Sequence, residues 1–250
     1  MKIVWDVESR DIEKVRTFLD LHRSDAFVQR RIRKNLSDTK PEVSKDDFWY
    51  AMMSCLLTTQ QRSGPDSAVT RFINTQPFPL NYRLCVSSDD VHTLAQQTMG
   101  SFGGIRFSNR LSGHIAENLH LLEQGLWEEA FAILDTLRLD QTLQREREAA
   151  DFIDNRFEGF GPKQSRNLLQ SLGLTKYEVP IDSRITKWLN RFGFPVRLSA
   201  QALSDRHYYR FVSEGFQQLC AQSGVYPCVL DAAIFSSFDE GGWSEENVIW

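Results

Sequence analysis

Long apolar runs are missing from this 250-residue chain, and no stretch reaches the roughly 18 residues that crossing a bilayer requires. Residues Met1 to Asp20 also lack the basic, then apolar, then small-residue order of a secretory signal. A soluble, intracellular, cytoplasmic protein without a membrane partner is the expectation. Cysteine is scarce: Cys55, Cys85, Cys220 and Cys228 form no Cys-x-x-Cys pair and no spacing suited to zinc. Reduced thiols are therefore expected. The histidines His22, His92, His114, His120 and His207 are scattered, none paired with a second ligand type at a metal-binding interval. They read as surface or packing residues, and no metal site is expected. Strict alternation of apolar and polar residues never persists, and there is no internal repeat or low-complexity tract, which argues against a sheet-built core. Positive charge is not in excess either, with 29 Lys and Arg against 33 Asp and Glu. A nucleic-acid partner would have to rely on a local basic face.

What is present is helical periodicity. Ile12, Val15, Phe18 and Leu19 form one stripe in a helix predicted from about Asp11 to Leu36, whose Arg30-Arg31-x-Arg33-Lys34 cluster reads as a solvated face. A strongly apolar helix begins near Asp46, carries Phe48, Met52, Cys55 and Leu56, and ends in a polar tip from Thr58 broken by Gly64-Pro65. Shorter helices are predicted over Asp66–Ile73 and Asp89–Thr98. After the Gly100 to Gly104 break comes a longer one with Arg106 and Arg110 near its start, then others over Leu126–Leu137, Gln141–Arg156, Asp205–Ser223 and Pro227–Phe238. The chain is long enough for a substantial core. An all-α unit of two helical lobes sharing a cleft is the expected architecture.

One stretch, from Phe157 to Trp188, carries a chemical signature. Gly159 and Gly161 flank Phe160 in a Gly-x-Gly turn that allows positive φ and close approach of backbone to a ligand. Pro162 suits a first helical turn, Leu168, Leu169 and Leu172 repeat at helical spacing, and Gly173 is a natural stop. A helix N-terminus opening over a glycine turn attracts phosphate. Lys163 lies in that first turn, and Asp182 follows 19 positions later in Val-Pro-Ile-Asp-Ser-Arg-Ile. Taken singly, Lys163 reads as a phosphate contact and Asp182 as the cap of the next helix.

Taken together, the two segments resemble the helix-hairpin-helix DNA glycosylase superfamily. That family's Leu-Pro-Gly-Val-Gly-x-Lys hairpin is matched in order by Phe157 to Lys163, with Glu158 in place of Pro, within a helix-hairpin-helix spanning about 145–172. The resemblance implies that Lys163 is the amine that attacks the sugar C1′, that Asp182 is the catalytic aspartate, and that Gly159 and Gly161 hold DNA backbone. It further implies that Gln60, in Cys-Leu-Leu-Thr-Thr-Gln-Gln, fills the hole left by an extruded base. The Gly-x-Arg-Phe stretch at Gly104 to Phe107 and the helix around Asp231 are similar to the type-two 8-oxoguanine branch. Asp231 itself reads as a satisfied core carboxylate. The implied activity is a bifunctional glycosylase and AP lyase acting on damaged double-stranded DNA, as a monomer, with 8-oxoguanine ahead of oxidised pyrimidines. No cofactor is implied beyond a structural alkali ion on hairpin carbonyls, and with only Cys220 and Cys228 near the C-terminus no iron–sulfur cluster is expected. A non-catalytic helix-hairpin-helix DNA-binding module stays open as the alternative. The apolar pair Ile249-Trp250 suggests a docked terminus, where the Trp250 carboxylate would accept the N7 hydrogen that distinguishes 8-oxoguanine from guanine.

Overall fold

The computed structural model describes residues 4–239 and 243–244, and every regular element among them is helical. In chain order these are α1 (Ser9–His22), α2 (Ala26–Asn35), α3 (Lys45–Leu57), α4 (Ala68–Ile73), α5 (Tyr82–Val86), α6 (Val91–Phe102), α7 (Ser108–Leu121), α8 (Trp127–Leu139), α9 (Leu143–Arg156), α10 (Pro162–Ser171), α11 (Ser183–Phe192), α12 (Arg206–Ser223) and α13 (Pro227–Ser237). No single helix among the described residues is long and apolar enough to cross a membrane.

The core gathers around α3, whose Phe48, Trp49, Met52 and Met53 are fully enclosed. A helix apolar on all sides belongs inside a bundle. Its first turn is closed by a reciprocal cap in which Ser44 accepts from the Asp47 N–H and Asp47 accepts from the Ser44 N–H. Trp49 satisfies its one polar atom by donating from Nε1 to the Leu80 carbonyl at 2.9 Å, as a buried indole must. Truncating such a side chain typically costs about 3–5 kcal/mol.

Helix contacts sort into two groups. In one, α3 packs with α5 and α7, α5 with α6, α6 with α7, and α8 with α9. In the other, α1 lies on α12 and α13, and α13 is also packed by α2 and α11. Chain beginning and chain end thus form one group. Helix α10 joins them through α3 and α9, and Asn35 of α2 donates to the carbonyls of Gln170 and Thr175 at 3.0 and 2.8 Å.

The long helix predicted from Asp11 to Leu36 is broken in two. The turn after His22 is held by Asp25, whose carboxylate takes the Ser236 hydroxyl of α13 at 2.7 Å and lies 3.1 Å from His22 Nδ1. A tertiary contact ends α1, with no Gly or Pro to announce it. The basic cluster of α2 is a solvated face only in part: Arg33 is exposed, but Arg31 is 5% exposed and Lys34 half-buried, because α2 packs that stripe toward α13 and α10.

Candidate active site

The turn between α9 and α10 is built by backbone demands. Gly159 sits at φ +79°, and a Cβ there would stand 2.8 Å from Leu56 and 2.9 Å from His114, so only glycine closes this turn. Where the hairpin pattern has Pro, Glu158 uses the N–H that Pro lacks. It donates to Asn118 Oδ1 at 2.7 Å while its carbonyl accepts from Asn118 Nδ2 at 2.9 Å. A buried amide of α7 therefore pins the turn from both sides. Gly161 is the N-cap of α10 with Pro162 in the first turn, and no atom lies within 4 Å of where its Cβ would be. The space beside Gly161 at this helix N-terminus is thus open, an arrangement that can receive an anion. Gln164 fixes the hairpin to the end of α3, donating to the Cys55 carbonyl and to Thr59 Oγ1 at 2.5 and 2.6 Å.

Lys163 and Asp182 meet at one pocket, with Arg31, Arg184, Asp231 and Phe235 among its other walls. Asp182 caps α11: Oδ1 accepts from the N–H groups of Arg184 and Ile185 at 2.7 and 3.2 Å. Its other oxygen lies 3.4 Å from the Arg184 guanidinium, which stacks on the Phe235 ring at 4.2 Å. Asp231, left outside the site by the sequence reading, is 6% exposed and faces the same pocket. Burial pushes its carboxyl up to about 6, against the Arg31 charge and the Gln170 amide, which donates to it at 2.9 Å. Nearby, Arg31 Nη1 is buried with no hydrogen-bond partner. A carboxylate, a spare guanidinium donor and a flat ring in one recess suit a planar polar ligand. The recess encloses only about 40 Å³, room for one or two waters, so a ligand the size of a base enters only if lining side chains move.

A buried polar frame sets Lys163 against Asp182. Glu178, four residues before Asp182, takes Arg166 Nε of α10, Arg147 Nε of α9 at 3.2 Å and the Gln217 amide of α12 at 3.0 Å. Arg166 also donates to the Pro162 carbonyl at 3.0 Å, so one side chain ties the turn that bears Lys163 to the strap leading to Asp182. Burial works against the Glu178 charge, but Arg166, Gln217 and Arg147 outweigh it and hold its carboxyl below the usual range. Behind this lies Glu146, which accepts from the N–H groups of Lys176, Tyr177 and Glu178 at 2.9, 2.9 and 2.8 Å. Desolvation outweighs these three donors and pushes its carboxyl up to about 7.

Gln60 stands at the tip of α3, exposed and in the left-handed region at φ 55°. Arg110 donates to its Oε1 at 3.3 Å, and the next residue, Gln61, accepts from the Arg106 N–H at 2.9 Å. Between the two arginines Phe107 is 39% exposed, also left-handed at φ 61°, with both guanidiniums over its ring at 4.8 and 4.6 Å. An exposed aromatic flanked by arginines is equipment for stacking on bases. Arg106 and Arg110 make a local basic patch beside Gln60. Trp250 lies outside the described residues. The four cysteines are buried and free, and no group of three His, Cys, Asp or Glu among the described residues is arranged for a metal.

An 8-oxoguanine DNA glycosylase of Methanocaldococcus jannaschii superposes with a TM-score of 0.66, covering 93% of this chain and 96% of its own at 16% identity. The chain has the fold of the 8-oxoguanine DNA glycosylases. The M. jannaschii glycosylase/lyase in complex with a 15mer DNA containing 8-oxoguanine matches at 0.64 with 15% identity, over 90% of this chain and 95% of that one. The 8-oxoguanine DNA glycosylase of Thermotoga maritima matches at 0.55 with 15% identity, over 91% and 94%. In sequence, an 8-oxoguanine DNA glycosylase/AP lyase of Thermoplasma volcanium is 27% identical over 107 residues, which are 43% of this chain. The chain spans about half the length of that curated relative. No family model matches the chain.

Proposed function

We propose that the protein is a bifunctional DNA glycosylase and AP lyase that excises an oxidised base, 8-oxoguanine first, from double-stranded DNA. The observation that carries this reading is the convergence of Lys163 and Asp182 on one recess beside a helix N-terminus that opens over a glycine turn. In this reading the two helix groups act as lobes of one unit, and the α10 N–H groups together with Gly159 and Gly161 grip a phosphate. The target nucleotide rotates out of the stack at a cost of a few kcal/mol. Gln60 enters the vacated space, Phe107 stacks beside it, and the base displaces Arg184 to lie on Phe235 with its N–H edge toward Asp231.

The Lys163 amine then attacks C1′, the C1′–N bond to the base breaks, and one amine proton passes to the departing base. Asp182 stabilises the positive charge that develops on the sugar. Loss of the amine proton and ring opening give a Schiff base between Lys163 and C1′. Removal of a C2′ proton then expels the 3′ phosphate by β-elimination. Both steps proceed on the chain's own groups. The similarity of fold and the partial match to a glycosylase/AP lyase support the choice of reaction. The test is a panel of single-lesion duplexes incubated with the protein and resolved for base release and strand cleavage. Cleavage at 8-oxoguanine is expected; binding without cleavage of any lesion would overturn the proposal and leave a DNA-binding module.

A further inference from the structure

A second cavity lies close to the first yet shares no lining residue with it. Ser54, on its wall, and Thr58, on the wall of the first, are one turn apart on α3. The second cavity encloses about 330 Å³, the lower end of the range occupied by small-molecule sites. Its donors are only partly spent. Ser54 is 1% exposed, and its hydroxyl, though it interacts with the Tyr50 hydroxyl on the same wall, makes no bond of full hydrogen-bonding geometry, which is costly for a buried polar group. Arg30 and Lys34 also line the cavity, and neither forms an ion pair or hydrogen bond among the described residues. Burial, aided by Arg31 and Arg30 and only partly offset by Asp47, brings the Lys34 amine down to about 8, the direction expected where desolvation outweighs the nearby counter-charge.

Two carboxylates also reach this cavity, and they narrow the choice of ligand. Asp47 is committed to the first turn of α3, accepting from the Ser44 N–H at 3.1 Å and from the Ser44 hydroxyl. Glu42 is exposed. Carboxylates at a cavity disfavour a polyanion whose charges extend past its mouth, and leave a small oxyanion that sits deep against the cations. Val43, Ala51 and Leu172 give the same space apolar walls. We propose that the cavity is a second ligand site for a small phosphate monoester, its head held by Lys34, Arg30 and the Ser54 hydroxyl, its substituent against the apolar walls.

Inorganic phosphate and deoxyguanosine 5′-monophosphate, titrated separately into the full chain by calorimetry, test this and tell a free ion from an ester. At least one is expected to bind, and to bind equally to Lys163→Gln, which lies in the other pocket. Lys34→Met keeps the stem that packs on Gly173 and removes the charge. It is expected to weaken binding about tenfold or more, the loss of one charged hydrogen bond. Ser54→Ala removes one neutral hydrogen bond and should weaken binding about threefold or more without lowering the melting temperature; should Lys34→Met melt early, that loss decides. Binding unchanged in both Lys34→Met and Ser54→Ala would move the anion elsewhere, the α10 N-terminus first, and overturn the proposal. So would the absence of heat with either probe at millimolar concentration.

Discussion

Asp182→Asn separates the two tasks that Asp182 can perform. As a cap it contributes one oxygen, Oδ1, to the N–H groups of Arg184 and Ile185, and an Asn amide oxygen accepts both equally well. What the variant loses is charge. The interaction with the helix dipole is worth about 0.3–1 kcal/mol, and the Arg184 pair, whose side chains are 25% and 22% exposed, up to about 1 kcal/mol. Together these lower stability by no more than about 2 kcal/mol, a fall of roughly 4–8 °C in melting temperature for a domain of this size. Losing a preorganised charge beside the reacting sugar is far larger in kinetic terms, about 10²–10³ in rate, or about 2.7–4 kcal/mol. The assay is single-turnover release of 8-oxoguanine from a duplex at a temperature where both proteins are folded, with melting curves alongside. A rate loss under tenfold in a folded variant would refute the catalytic role and leave Asp182 as a helix cap.

Other substitutions probe the surrounding parts. Gly159→Ala forces a Cβ to within 2.9 Å of Leu56 and His114 at positive φ, so a stability loss of about 1–3 kcal/mol and weaker duplex binding are expected by melting and anisotropy; no change in either would mean the turn is not constrained as described. Gln60→Ala should slow excision in duplex more than in single-stranded DNA, where there is no hole to fill, and equal effects would remove Gln60 from that role. Asp231 has a folded carboxyl near 6 against an ordinary 3.8, so stability from its protonation is full below about pH 4 and is lost as pH rises through 6. Asp231→Asn should therefore gain on the order of 2–3 kcal/mol relative to wild type between pH 4 and pH 7 in urea unfolding, while base excision falls and cleavage of a preformed abasic site survives. Parallel pH curves would contradict the buried charge.

The parts legible in the sequence are those that local chemistry decides. Gly159, Gly161, Pro162 and Gly173 punctuate the hairpin whatever surrounds it, and Asp182 opens α11 because an aspartate before a helix is a cap in almost any context. What escaped notice depends on packing. The charges of α2 look solvated when counted along the chain, but the stripe of Phe27, Arg31 and Asn35 turns inward once α13 lies across it. Asp231 sits in an apolar run, and nothing local indicates that its side of α13 faces a recess rather than the core. The break before α2 depends on Asp25 meeting Ser236, which lies 211 positions away. The left-handed backbone at Gln60 and Phe107 carries no glycine to signal it, so the exposed Phe107 between two arginines emerges only when both tips stand side by side.

The proposed chemistry turns on Lys163 forming a bond to the sugar. Borohydride added during reaction with an 8-oxoguanine duplex converts a Schiff base into a stable amine, and digestion followed by mass spectrometry locates it. The expected result is one protein–DNA adduct on the peptide bearing Lys163, absent in a Lys163→Gln variant that still binds the duplex because the N–H groups of α10 remain. An adduct that persists in Lys163→Gln, or base release from wild type with no adduct at all, would contradict it.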